Sequence, residues 1–181
     1  QIADLFELRA SEQRSKQLES TLGTKVATQP ARRQDIDFIF LAATPQQARQ
    51  IKPALTFQYA GDVPIYATSA VNSGSGEVYP ELNGVEFSEM PWFLEHDNVT
   101  RAHISNSWPQ ALGSMGRFYA MGADAYQLMS QLQQLRALPN SSSAGLTGTL
   151  KLNSQQRIER TLYWARFTKN SIEQVKETQL D

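Results

Sequence analysis

The sequence predicts an α/β fold, with a parallel β-α-β unit in its first half and an antiparallel meander at its C-terminal end. Three observations predict it. A nearly continuous apolar run from Ile36 to Ala42 is followed at once by Thr44-Pro45 and then by apolar residues at helical spacing. A second short apolar run, Val63 to Ala67, comes after Gly61. From Leu146 onward the apolar period changes from that of a helix to two.

Residues 1–22 read as a helix. Ile2, Leu5, Phe6 and Leu8 give one apolar face, which Leu18 and Leu22 resume, and Gly23 supplies a stop. Residues 24–34, with Pro30, Arg32 and Arg33, read as a loop. The run Ile36 to Ala42 suits a strand covered on both faces. Thr44 suits an N-cap and Pro45 the first helical position. Ala48, Ile51, Leu55 and Tyr59 share the helix's apolar face, Pro53 should kink or split it, and Gly61 ends it. The strand Val63 to Ala67 should then lie parallel to the first, joined by a right-handed crossover.

Residues 71–80 are rich in Gly and Ser and read as a loop. Gly84 to Phe87 is a short strand, Met90 to Phe93 an apolar turn, and residues 95–110 irregular or weakly helical. Residues 112–138 form the longest predicted helix. Met115, Phe118, Tyr119, Gly122, Ala125, Tyr126, Met129 and Leu132 line one face, which Leu128 and Leu135 widen, so this helix should be well buried. Pro139 and the run Asn140 to Ser143 stop it. Alternation over 146–152, 158–167 and 172–175 predicts the meander, with turns near Asn153 and Lys169-Asn170.

The 181 residues fit one domain or a large piece of one, and 40% hydrophobic with 19% charged residues marks a globular chain. A net charge of −1 without a basic stripe argues against nucleic acid as a partner. The lack of Cys excludes disulfide frameworks, thiolate zinc sites and thiol catalysis. No apolar run is long enough to span a membrane, and no signal peptide opens the chain. The start at Gln1, on helical sequence, reads as a fragment of a longer or processed protein whose targeting signal lies upstream.

No residue set announces catalysis, a metal or a cofactor. His96 and His103 sit in the least regular region, and Glu95-His96-Asp97 reads as a solvated loop rather than a convergent ligand set. Ser75 and Ser114 lack the glycines of a nucleophile elbow, and no serine is followed by Lys three positions on. Gly74-Ser75-Gly76 completes no phosphate-loop pattern. Asp124, among apolar neighbours in the long helix, reads as a polar edge of the helix or a paired structural carboxylate before a group reaching across a cleft. Trp164 fits the inward face of a strand, and Trp92 anchors a turn or faces a partner. Ligands of open α/β sheets bind outside the carboxyl ends of strands. Thr44, after the first strand, and Ser69 and Asn72, after the second, are therefore the candidate lining of a polar crevice. The simpler role for Thr44 is capping.

The run Arg32 to Arg49 resembles the C-terminal domain of the LpoA (YraM) family of outer-membrane lipoproteins, activators of a class A penicillin-binding protein. The resemblance continues through Ile51-Lys-Pro53, Pro64 to Ser69, Glu81 to Trp92, Arg117 to Leu128 and Gly145 to Leu150, in family order. It implies a fold like type I periplasmic binding proteins, with two α/β lobes joined by crossing segments. Residues 1–93 and 146–181 would then belong mostly to the second lobe, the helix 112–138 would cross to the first, and the two-lobe domain would be incomplete. It implies an upstream helical domain and a lipidated Cys that tethers the protein to the inner face of the outer membrane, the only membrane contact. It implies stimulation of a peptidoglycan synthase's transpeptidase activity, with peptidoglycan as a further candidate partner. It carries over no catalytic residue, cofactor or small ligand. The alternative expectation is a periplasmic solute-binding module for a small polar ligand held by Thr44, Ser69 and Asn72. An enzyme ranks third.

Overall fold

The computed structural model describes residues 2–24, 33–138 and 140–175, with the side chains of residues 2 and 3 left aside. The expectations for Ile2's side chain, for most of the 24–34 loop and for Pro139 lie outside these residues. The elements in order begin with helices α1 (Ile2–Leu5) and α2 (Leu8–Leu22), strand β1 (Ile39–Leu41), helix α3 (Pro45–Leu55) and strand β2 (Ile65–Ala67). Strand β3 (Glu86–Glu89) and helices α4 (Pro91–Leu94), α5 (Val99–Ser107) and α6 (Gly116–Ala137) follow. Strands β4 (Ser142–Gly145), β5 (Gly148–Leu152), β6 (Ile158–Thr161), β7 (Tyr163–Phe167) and β8 (Ile172–Gln174) close the described chain.

The strands form two sheets. The first has the order β1-β2-β3-β7-β8, with β1, β2 and β3 parallel and β7 and β8 antiparallel. The second is the antiparallel sheet β4-β5-β6. The predicted β-α-β unit is thus present, with Ile39 opposite Ile65 and Leu41 opposite Ala67. The C-terminal strands are antiparallel as expected, but they divide between the sheets, changing over at Leu162 between β6 and β7. Strand β4 begins within the Ser-rich run expected only to stop the long helix. Its polar side chains sit on a partly exposed strand whose backbone is paired with β5.

Inward residues at every second position build the main core. Ile65 and Ala67, Val85 and Phe87, and Ala165 and Phe167 join Leu41, Ala48, Leu55, Phe6 and Leu8. Phe87 and Phe167 stack with ring centroids 4.6 Å apart. A smaller core holds Met90, Trp92, Ala111, Ala120 and Leu146, with Leu162 packed against it.

Several burial expectations are corrected. Of the apolar face expected for the first helix, Phe6 and Leu8 are buried, whereas Leu5, Leu18 and Leu22 are exposed; the helix breaks at Glu7, whose φ is 54°. Gly23 does close α2 in the left-handed conformation. Strand β1 is covered on one face only, and Phe38 and Phe40 are 57% and 64% exposed on the other. Trp164 faces outward and meets Tyr66 edge-on at 5.8 Å, because Ala165 and Phe167 take the inward positions. Pro53 is carried inside α3. The chain leaves helical geometry at Gln58 and at Tyr59, whose φ of 60° turns its ring to solvent.

The largest correction concerns α6. Met115, Phe118, Tyr126 and Met129, expected in the core, are at least half exposed, while Gly116, Ala120, Asp124 and Leu135 are buried. The helix packs with its small residues, which let the sheets and α4 approach closely, and its large apolar stripe is left outward.

Candidate functional site

Because β2 and β3 are parallel neighbours, their carboxyl ends lie side by side. Beyond β2 a single 3-10 turn, Ser69–Val71, returns the chain and leaves the Asn72 side chain buried. Strand β3 ends at Glu89, whose place follows from the alternation Val85, Phe87, Glu89: all three point inward, and Glu89 is fully buried. A carboxylate taken out of water needs charge and hydrogen bonds to replace hydration. Glu89 has both. Its Oε1 accepts from Met90 N at 2.8 Å and Arg117 Nη1 at 2.6 Å. Its Oε2 accepts from Asn72 Nδ2 at 2.7 Å and Arg117 Nη2 at 3.2 Å.

Arg117 reaches this site from the second position of α6. Its Nη2 also donates to the carbonyl oxygens of Ser69 at 2.9 Å and Asn72 at 3.4 Å, and its guanidinium lies 4.8 Å from the Phe93 ring centroid. The two-pronged contact with Glu89 uses the planar fork that Lys lacks. Asn72 completes the cluster by accepting from Gly74 N at 3.1 Å through Oδ1. Each oxygen of Glu89 already takes two donors, so the carboxylate is spent on holding α6 to the strand ends.

The structure therefore brings Ser69 and Asn72 together, but through a residue the sequence did not single out. Ser69 takes part with its carbonyl and Asn72 with its amide side chain and carbonyl. Thr44 caps α3 instead. Its Oγ1 accepts from Gln47 N at 3.4 Å, and the Gln47 Oε1 accepts from Thr44 N at 3.0 Å. The missed residues are Glu89 and Arg117. A charged residue in the inward register of a strand was the available signal for Glu89; nothing in the helical pattern marks Arg117.

A second carboxylate anchors α6 further along. Asp124 Oδ1 accepts from Leu146 N at 2.7 Å, and Oδ2 accepts from Thr147 N at 2.8 Å and Thr147 Oγ1 at 2.6 Å. It is the paired structural carboxylate, holding the β4–β5 turn. Gly145 is required there, since an added Cβ would lie 2.6 Å from Asp124 Oδ2. Trp92 anchors its turn: its Nε1 donates to Ala111 O at 3.2 Å, while Arg101 Nε donates to the Trp92 carbonyl at 2.7 Å. His96 and His103 are exposed, and no cluster of three metal-ligating side chains occurs among the described residues. Outside the cluster, α5 and α6 frame an apolar groove of about 460 Å³ lined by Ile104, Trp108, Met115, Phe118, Tyr119 and Ala123.

Comparison with known proteins shows what the chain is similar to. The family model "LppC putative lipoprotein" matches residues 1–170. The chain is 32% identical over 167 residues to the penicillin-binding protein activator LpoA of Vibrio antiquarius, covering 91% of this chain and 28% of that protein. It is 30% identical, with the same coverage, to the LpoA of Aliivibrio fischeri. The chain thus spans well under a third of the relatives it matches. Among solved structures, the C-domain of LpoA (YraM) from Haemophilus influenzae, a regulator of PBP1A, aligns with a TM-score of 0.66 at 24% identity, over 93% of this chain and 57% of that one. A branched-chain amino acid ABC transporter protein from Chromobacterium violaceum aligns with a TM-score of 0.54 at 31% identity, over 87% and 56%.

Proposed function

The chain belongs to the LppC family, and from that premise we propose that it is a non-catalytic module that binds a class A penicillin-binding protein and stimulates its transpeptidase activity. The supporting observation is the state of the strand-end crevice. Where a solute-binding protein would present free polar groups, Ser69, Asn72 and Glu89 are engaged by Arg117. What remains exposed is a surface that includes the apolar groove between α5 and α6. Such a surface activates a partner by binding its active conformation more tightly than its resting one. In this reading the five-stranded sheet belongs to one lobe, α6 leads toward the other, and a lipid anchor in the full-length protein holds the module in the periplasm. No helix among the described residues is long and apolar enough to cross a membrane.

The test is peptidoglycan cross-linking by a purified class A penicillin-binding protein with and without this chain. The expected result is a higher cross-linked fraction at saturating chain. An unchanged fraction, with no binding by sedimentation, rejects the proposal. A solute-binding reading is favoured by one observation, the likeness to the transporter protein. It requires a saturable thermal shift with small metabolites in the unaltered chain.

A further inference from the structure

We propose that the crevice at the carboxyl ends of β2 and β3 is a cation site of guanidinium type whose occupant is the chain's own Arg117. The groups that converge there are those that recognise such an ion. Two carbonyl oxygens (Ser69 and Asn72), a fully buried carboxylate (Glu89) and the face of an aromatic ring (Phe93) surround one point. Carboxylate, carbonyls and ring face all favour a flat cation. Besides Arg117, the donors to Glu89 are Asn72 Nδ2 and Met90 N, which orient the carboxylate rather than a ligand, and Gly74 N is taken by Asn72 Oδ1.

The cage is built by the strand ends, by the turn after β2 and by α4, whereas its occupant arrives from α6 on a flexible side chain. That separation makes the site a receptor with a tethered ligand. Removing the side chain beyond Cβ leaves the cage standing with an uncompensated buried carboxylate, which a free guanidinium ion then satisfies. The native chain is closed to outside cations because its own arm is present at high effective concentration.

The experiment is thermal unfolding of Arg117→Ala titrated with millimolar methylguanidinium chloride, against sodium chloride at equal concentration. The variant is expected to melt below the parent chain. Methylguanidinium should raise its Tm by about 2–4 °C, saturating with concentration. The parent chain should not respond, and neither should the double variant Glu89→Gln/Arg117→Ala, which lacks the carboxylate. Absence of a saturable shift in Arg117→Ala, or an equal shift in the double variant, overturns the proposal. If Arg117→Ala does not fold alone, refolding in methylguanidinium replaces the shift: recovery of folded chain supports the site, and failure to recover it rejects the site.

Discussion

Three carboxylates show how the surroundings of a single residue set its work. Glu89 is held by Arg117, and Asp124 by two backbone N–H groups and one hydroxyl. Asp124→Ala leaves the N–H groups of Leu146 and Thr147 buried without acceptors. Its expected cost is about 2–4 kcal/mol, read as a lower urea midpoint at unchanged slope. Asn at the same position restores only part of this, because one end of the amide donates where an acceptor is needed. Asp35 is the exposed contrast. The hydrogen bonds from Arg33, at 2.7 and 2.5 Å, lower its carboxyl to about 2. A depressed carboxylate contributes its stability above the unfolded value of roughly 4 and loses it as pH falls through the folded one. The effect is therefore confined to the window between about 4 and 2, and solvent screening keeps it small. A carboxyl titration by NMR should find the low midpoint, and Arg33→Gln should return it toward the ordinary range.

At the scale of elements, legibility followed the strength of local rules. The β-α-β unit was readable because the Thr44-Pro45 start is a backbone requirement: an orphan N–H wants an acceptor, and Pro has no N–H to orphan. Pairing partners were not readable, so the changeover at Leu162 and the Ser-rich strand β4 escaped. Helix α6 shows the deepest limit. Its large apolar stripe marks a surface that suits burial, but periodicity does not say what covers it. Within this chain the helix packs instead through Gly116, Ala120 and Asp124. The crevice was half legible, in Ser69 and Asn72, because the position of strand ends follows from topology. Arg117 was not, because its contacts with Ser69 and Asn72 span 48 and 45 positions of sequence. The same helix yields a stabilising prediction. A Cβ at Gly122 meets no atom within 4 Å. Gly122→Ala should therefore raise stability by about 0.5–1 kcal/mol through helix propensity, measured by chemical denaturation. A loss would show that the stripe is packed after all.

For the molecule as a whole, α6 decides whether two cores behave as one. Its first turn is tied to the main sheet through Arg117, Ala120 enters the small core, and Asp124 holds the three-stranded sheet. The chain also passes between the sheets at Leu162, which packs on the small core. Losing either sheet would break the buried hydrogen bonds that fix α6 and so weaken its packing on the other. Cooperative unfolding in a single step follows. Far-UV circular dichroism, which weights the helices, and the fluorescence of Trp92, buried in the small core, should give coincident transitions once Trp108 and Trp164 are replaced by Phe. Asp124→Ala should move both signals together, although its contacts lie wholly with the three-stranded sheet. A Trp92 transition that drops while the far-UV signal holds would mean that the sheets melt independently and that α6 does not couple them.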